Sequence, residues 1–317
     1  MKILLTGVSS FTGMWFARAL AEGGHEVVGT LTGGRDAYSG LKAERLMRMP
    51  ETIRLVETAP FGSDVFLELL AEGNWDLLCH HGAEVGNYRS PDFDVEAAVG
   101  RNARNLDAVL RKFADRGGRG VVLTGSYFEG GEGEGDRPLV DFSPYARSKR
   151  ETAERFRGRC EAYALPLGKF VIPNPFGPWE EARFTAFLVR SWLNGEIPEV
   201  RTPDYIRDNL HVSLLSRAYR QFVEERAVGE PVAFRKVNPS GYVESQGVFA
   251  MRVARELGPR LGVPAEIRLA EQIDFEEPRV RHNTDSVTPH FPSWNEVSAW
   301  DALAEYYLKK EREKNSG

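Results

Sequence analysis

The sequence predicts an α/β fold, a doubly wound parallel sheet with a smaller C-terminal α+β domain, and three observations carry that expectation. The first half of the chain alternates short, almost wholly apolar runs with helical patterns, as in a sheet covered on both faces. It opens on a strand, a glycine-containing turn and a helix. Beyond Pro178 the pattern changes to helices joined by proline- and glycine-containing loops. At 317 residues the chain is long enough for one large or two medium domains, and the change of pattern divides it into 1–175 and 176–317.

Lys2 to Thr6 is an apolar run ending at Gly7, and Phe11, Trp15, Phe16, Ala19 and Leu20 then recur at helical spacing, so a strand turns tightly into a helix. Val27 to Leu31 follows Gly23-Gly24 as a second strand. Ile53 to Val56, Leu77 to Cys79 and Gly120 to Leu123 read as three more, with helices Asp64 to Glu72 and Phe93 to Phe113 between them. After Pro178 come helices Phe184 to Leu193, Leu214 to Glu224 and Phe249 to Leu257, and short strands such as Val232 to Val237. Segments of this second domain are expected to return to the large sheet. The low-complexity stretch Glu129 to Asp136 reads as a mobile acidic loop.

Charge and composition narrow the partners. The net charge is -5 and the signs are mixed nearly everywhere, which argues against nucleic acid. The basic cluster Lys309 to Lys314 has glutamates interleaved and reads as a solvated helix end. No run of about 18 apolar residues is present, so no membrane helix is expected. The N-terminus runs into a strand rather than a signal peptide, and a cytoplasmic protein is expected. Cys79 and Cys160 are too few for a disulfide framework, lack metal-site spacing and read as structural.

Chemistry concentrates in two places. In Tyr145-Ala-Arg-Ser-Lys149 a lysine lies one helical turn after a tyrosine, on the same face. A tyrosine that gives up a proton near neutral pH needs its pKa of roughly 10 pulled down by such a cation. Taken alone, the spacing also fits a tyrosine and a lysine on a solvated helix. In the opening turn, Gly7 and Gly13 fit the outer positions of a G-x-x-G-x-x-G loop, where glycine lets backbone approach a pyrophosphate at a helix N-terminus. Ser10 takes the middle position; its Cβ narrows the approach, while its hydroxyl could donate to a phosphate. Phe11 and Thr12 complete the turn. Adjacent His80 and His81 at a strand end point to opposite faces and are not expected to share a metal ion, and no metal is expected.

Six segments in order resemble the extended short-chain dehydrogenase/reductases of the nucleotide-sugar epimerase, dehydratase and ketoreductase group. They are the glycine loop, Asp76-Leu-Leu-Cys-His-His-Gly-Ala83, Thr124-Gly-Ser126, Tyr145 with Lys149, Asn174-Pro-Phe-Gly-Pro178, and Arg207-Asp-Asn-Leu-His-Val212. The resemblance implies a Rossmann-type domain in which Tyr145 is the catalytic acid/base and Lys149 lowers its pKa while holding the nicotinamide ribose. Ser126 would hydrogen-bond the reacting oxygen, with Thr124 as the second candidate for that role. His80, Gly82 and Ala83 would line the cofactor pocket. Asn174 and Arg207 would hold a nucleotide-diphosphate sugar, the planar arginine fork suiting a diphosphate. Arg279 and Arg281 match a looser motif and fit phosphate ligands and surface ion pairs equally. A homodimer joined through the Phe93 to Phe113 helix and the Tyr145 helix is also implied.

Departures from the family pattern sharpen the expectation. NAD-binding members carry an acidic residue at the end of the second strand. Here that place is Leu31, followed by Thr32-Gly-Gly-Arg35; Thr32 and Arg35 could bind a 2'-phosphate, which favours NADP with NAD as the alternative. Dehydratases place acidic residues directly after the catalytic threonine, where this chain has Ser126-Tyr127-Phe128, so dehydration ranks third. Thr124-Gly-Ser-Tyr-Phe-Glu129 is similar to the T-G-S-x-x-E of 4-keto-6-deoxyhexose reductases, which puts 4-keto reduction ahead of C4 epimerisation. A non-catalytic NADP-binding sensor or scaffold is the reading from a different class; such relatives usually lose the tyrosine or the lysine, and both are present here.

Overall fold

The computed structural model of the chain describes residues 1–228 and 233–315. In chain order the elements are β1 (Lys2–Thr6), α1 (Phe11–Glu22), β2 (Glu26–Thr30), α2 (Gly40–Met47), β3 (Arg54–Val56), α3 (Asp64–Glu72), β4 (Leu77–His80), α4 (Val95–Asn102), α5 (Leu106–Asp115) and β5 (Gly120–Ser126). There follow β6 (Glu134–Gly135), α6 (Pro144–Ala162), β7 (Leu167–Ile172), β8 (Asn174–Phe176), α7 (Phe184–Leu193), β9 (Glu199–Val200), β10 (Ile206–His211), α8 (Val212–Val228) and β11 (Phe234–Val237). The chain closes with β12 (Pro239–Ser240), β13 (Tyr242–Ser245), α9 (Gln246–Leu261), β14 (Arg268–Leu269), β15 (Arg281–His282), β16 (Asp285–Ser286) and α10 (Glu296–Asn315). Among the described residues no helix is long and apolar enough to cross a membrane.

Two compact units form. The first comprises residues 1–132, 139–172 and 216–238; the second comprises 133–138, 173–215 and 239–317. The first is built on a seven-stranded sheet of order β11-β7-β5-β4-β1-β2-β3, and every pairing in it is parallel. Strands β1, β4 and β5 are buried along almost their whole length because helices cover both faces. On one face α3, α5 and α6 bury Phe66, Leu70, Leu110, Phe113 and Phe156 against Leu4, Leu78 and Val121. On the other, Phe16 of α1 stacks on Tyr219 of α8 with ring centroids 3.9 Å apart, and Phe170 of β7 meets both edge-on. Strand order reverses between β1 and β4, so the chain leaves these two strands in opposite directions and opens a crevice at their carboxyl ends.

The second unit holds a three-stranded sheet, β13-β10-β8, in which β10 runs antiparallel to β13 and parallel to β8. Phe176, Leu188, Trp192, Phe249, Leu257, Trp300 and Leu303, from β8, α7, α9 and α10, form its core.

Three sequence expectations need correction. The helix expected over Phe93 to Phe113 is two helices, because Asn105 takes a left-handed conformation (φ 50°) and restarts the chain at Leu106. The strand expected from Val232 begins at Phe234, Val232 lying outside the described residues; it pairs with β7 at the edge of the large sheet. The stretch Glu129 to Asp136 is not a loose acidic loop. Glu129 and Glu132 are buried against Lys169, and β6 pairs with β15.

Candidate active site

The glycine turn forms at the carboxyl end of β1. Gly7 sits at φ 76°, and a Cβ there would lie 2.7 Å from the backbone of Gly82 at the end of β4. A Cβ on Gly13 would strike the carbonyl oxygen of Gly7. These two positions therefore let two strand ends and the start of α1 close into one cradle. Ser10 is the N-cap of α1: its Oγ accepts from Gly13 N (3.1 Å) and donates to Gly7 O (2.8 Å). The hydroxyl expected to reach a phosphate is thus spent on the turn itself, and the N-terminus of α1 is the anion-facing feature that remains. The donor set and the clearance over these glycines fit a dinucleotide pyrophosphate. Phe11 is buried at the first turn beneath the guanidinium of Arg45, 5.9 Å from the ring centre.

Two histidines tie this cradle to the sheet. His80 Nδ1 lies 3.0 Å from Thr6 Oγ1, which also accepts from Gly82 N (2.8 Å), and His80 Nε2 lies 3.0 Å from the Asn102 carbonyl. His81 faces the other way. Its Nε2 is 3.1 Å from Ser10 Oγ and 3.0 Å from Thr12 Oγ1, and its Nδ1 is 3.0 Å from Thr124 Oγ1. Burial, and then the positive charge of Lys149, pushes both imidazoles down to about 3, so both are neutral. The expected opposed orientation is what the ring contacts show. Ala83 continues the chain just past this cradle.

The residues expected to carry acid–base chemistry enter from α6. Ser143 caps the helix by accepting from Ala146 N (3.1 Å), and Pro144 occupies the first turn, where a missing N–H costs nothing. Tyr145 therefore sits at the helix start, its ring against Tyr88 and Phe93 at 5.5 and 5.9 Å between centroids. Lys149, one turn on, is buried and donates from Nζ to Thr124 O (2.6 Å). Burial lowers its pKa, Glu129 works in the opposite direction and Lys169 adds to the lowering. The structure thus brings Lys149, Thr124, His81, Ser10 and Thr12 into one connected set. Thr124 has its hydroxyl engaged by His81, whereas Ser126 Oγ accepts from Phe128 N (3.3 Å) and keeps its own O–H to donate.

The cofactor-selective positions differ from expectation. Thr32 N and Oγ1 both meet the Tyr38 hydroxyl, at 3.0 and 3.1 Å. Arg35 is held by Glu57, which accepts from its backbone N at 2.9 Å and pairs with its Nε at 3.2 Å. A carboxylate does stand beside the end of β2, supplied by the segment after β3 rather than by β2 itself.

In the second unit, Asn174 opens β8 and lies opposite Asn209, two residues along β10 from Arg207. Arg207 is buried over the Tyr205 ring (4.8 Å) and donates to Ile206 O, Arg279 O and Glu277 Oε2 at 2.9, 3.1 and 3.0 Å. Arg279 makes a two-pronged pair with Asp274, both bonds 2.8 Å. Arg281 is buried on β15. Among the described residues no group of three or more His, Cys, Asp or Glu side chains is placed to hold a metal ion.

A sequence model of the NAD dependent epimerase/dehydratase family matches residues 3–234. The chain belongs to this family. It is therefore an enzyme of the extended short-chain dehydrogenase/reductase type. Among curated protein sequences none matches the chain at a significant level. Solved structures of similar fold include a UDP-glucuronic acid 4-epimerase from Bacillus cereus in complex with UDP-glucuronic acid and NAD, 16% identical, with a TM-score of 0.75 and 98% of this chain and 99% of that one covered. A UDP-N-acetylglucosamine 4-epimerase from Methanobrevibacter ruminantium M1 is 15% identical, with a TM-score of 0.72 and 98% of each chain covered. A dTDP-glucose 4,6-dehydratase from Streptomyces venezuelae is 17% identical, with a TM-score of 0.70 and 98% and 97% covered. At these identities the likeness is one of fold.

No role was expected for Lys169, Glu132 or Glu57, and His81 was weighed only as half of a metal pair. A second histidine after His80 was a visible signal. Lys169 and Glu57 carried none, since their meaning depends on which strands lie side by side.

Proposed function

We propose that the protein is an NAD-dependent nucleotide-sugar 4-epimerase. The observation that carries the reading is Lys149, buried and fixed to the end of β5 by Thr124 O one helical turn after Tyr145, beside the cradle formed by Gly7, Gly13 and Gly82. Bound NAD supplies a hydride acceptor and donor. Tyr145 takes the proton of the C4 hydroxyl and later returns it, Lys149 holds the tyrosinate's charge, and Ser126 donates to the reacting oxygen. NAD held by the glycine turn and Lys149 would serve as a reversible hydride store for C4, so that inversion there would consume no external reductant. Arg207 and Asn174 hold the nucleotide diphosphate.

Glu57 beside Arg35 supports NAD over NADP, because a carboxylate accepts ribose hydroxyls and repels a 2'-phosphate. Two proteins of similar fold, both UDP-sugar 4-epimerases, support the same substrate class. Reduction of a 4-keto sugar nucleotide is the second reading, favoured by the Thr124-Gly-Ser126 to Glu129 spacing. Dehydration has less support, since Glu129 is turned into the protein against Ser126 N and Lys169. The family resemblance also supports a homodimer joined through α4, α5 and α6.

The test is incubation with UDP-glucose, UDP-glucuronic acid, UDP-N-acetylglucosamine and dTDP-glucose, each with NAD or NADP, followed by mass spectrometry. An unchanged mass with a new retention time is the expected result. Loss of water would replace epimerisation by dehydration. A gain of two hydrogens on a 4-keto substrate with NADPH, without epimer formation, would establish reduction.

A further inference from the structure

We propose that Glu129, held in place by Lys169, is a positioning residue for Ser126; the inference rests on the role given to Ser126 above. Glu129 is fully buried, and its Oε1 accepts from the Ser126 backbone N–H at 2.6 Å. Its other oxygen accepts from Lys169 Nζ at 2.5 Å. Lys169 comes from β7, the neighbouring strand, and crosses beneath the carboxyl end of β5: a Cβ on Gly125 would lie 2.6 Å from Lys169 Cε and 3.1 Å from Glu129 Oε1. The glycine between Thr124 and Ser126 is therefore the opening through which the lysine reaches the carboxylate. Lys169 also donates to Glu132 Oε1 (2.8 Å), whose Oε2 takes Lys236 (2.9 Å) and Asn238 Nδ2 (3.1 Å).

Buried Lys169 thus faces two buried carboxylates, and Lys236 at the surface supplies the second cation, so that the buried charges are paired. Burial opposes ionisation of Lys169 and Glu132, yet pairing prevails: the lysine is raised and the glutamate lowered, so both stay charged. A simpler sequence would fill this space with apolar side chains. What the charged version adds is a fixed acceptor on the Ser126 N–H, at the residue whose hydroxyl must meet the reacting oxygen, while the Thr124 carbonyl two residues earlier is fixed by Lys149. Both ends of the Thr124-Gly-Ser126 segment of β5 are then anchored, and the hydroxyl is aimed before substrate arrives.

Four proteins test this: Ser126→Ala, Glu129→Gln, Glu129→Leu and the double variant Glu129→Leu/Lys169→Met. Three quantities are read: thermal midpoint, hydrogen exchange of the Ser126 amide by NMR, and kcat and KM on whichever UDP-sugar the wild type epimerises. The double variant removes the ion pair as a unit and leaves Glu132 with Lys236 and Asn238, so it keeps a near-native midpoint even where Glu129→Leu alone does not fold. It is expected to lose Ser126 amide protection and about tenfold or more in kcat with KM little changed. Glu129→Gln, which retains an acceptor for that N–H, is expected to lose about tenfold less than Glu129→Leu. A double variant with native midpoint and wild-type kcat overturns the inference. So does unchanged amide protection. A wild-type rate in Ser126→Ala removes instead the role of Ser126 on which the inference rests, and is told apart because it leaves the effect of Glu129 on the amide standing.

Discussion

The proposed catalytic residues of the first unit and the proposed anion-binding arginines of the second are held in different ways. Lys149, Thr124 and Ser126 are bound by groups that are themselves buried: a backbone carbonyl, the neutral ring of His81 and the carboxylate of Glu129. Arg207, which also donates to two backbone carbonyls, and Arg279 pair with Glu277 and Asp274, whose side chains are 50% and 52% exposed. Chemistry benefits from donors and charges fixed before reaction, so permanent partners suit the first set. An anion-binding arginine needs a partner it can give up, and a half-exposed carboxylate can be exchanged for a phosphate oxygen. Damage to the first set should therefore appear in rate, and damage to the second in affinity.

The largest effect expected is that of Tyr145→Phe. Removing the acid–base oxygen should lower kcat by about 10²–10⁴-fold, roughly 3–5 kcal/mol of barrier, with NAD binding nearly intact. Steady-state kinetics beside a fluorescence titration with NADH measures both. Retention of more than about a tenth of the wild-type rate would place the proton transfer elsewhere.

Arg207→Ala should act on the other side of the comparison. Loss of a buried charged partner typically costs about 2–5 kcal/mol, and here it should appear in UDP-sugar affinity while NAD affinity holds. Glu277→Gln should have the opposite sign, tightening UDP-sugar binding modestly by removing the carboxylate that competes for the same guanidinium. Calorimetry on both variants decides the point; if Glu277→Gln weakens binding, the carboxylate is a fixed support and the contrast between the two units is lost.

Much of this was legible in the sequence. Apolar runs broken by helical patterns gave the parallel sheet, because a strand buried on both faces has no polar positions to spare. The glycine turn and the Tyr145 to Lys149 spacing were legible because each depends on contacts within a few residues. What escaped depends on which strands become neighbours. Lys169 lies 40 positions from Glu129 and meets it only because β7 packs beside β5. Glu57 reaches Arg35 because β3 lies beside β2. Reading Glu129 to Asp136 as a mobile acidic loop followed from its glycines and carboxylates, with no sign of the cations that would neutralise two of them.

Acid should weaken both units, whereas raising the pH from 4.5 to 8 should separate them. Burial pushes His80 and His81 from 6.5 down to about 3, so their folded pKa lies below the unfolded one. The stability they contribute is present above about pH 6.5 and is lost as pH falls towards 3. His211 gives the second unit the same loss in acid. Glu180 runs the other way. It is buried, its Oε1 accepts from Tyr307 OH at 2.8 Å, and burial raises its carboxyl from 4.5 to about 8. The folded chain then binds a proton that the unfolded chain has released, so stability falls as pH rises across 4.5 to 8. Asp208, also in the second unit, is raised by burial too. Glu180→Gln should flatten that loss and raise the thermal midpoint at pH 8 by a few degrees relative to wild type. Equal midpoints of the two proteins at pH 5 and pH 8 would show that Glu180 is not protonated in the fold.

The smallest effect expected is at the cofactor's ribose, where the exposed pair of Arg35 and Glu57 mixes features of both units. Arg35 is 58% and Glu57 44% exposed, so their pairing is weakly held, like those of the second unit, yet it sits on the sheet of the first. If Glu57 accepts from a ribose hydroxyl, wild-type protein should bind NADH more tightly than NADPH. Glu57→Gln should then remove the repulsion of a 2'-phosphate and release Arg35 towards it, raising NADPH affinity about tenfold, close to 1.4 kcal/mol, while lowering that for NADH by less. The double variant Glu57→Gln/Arg35→Ala should return NADPH affinity towards the wild-type value, because the arginine is the group that gains the phosphate. Fluorescence titrations of the three proteins with both reduced cofactors make the comparison. If wild type prefers NADPH, Thr32 and Arg35 reach the phosphate despite Glu57, and the 4-keto reductase reading moves ahead of epimerisation.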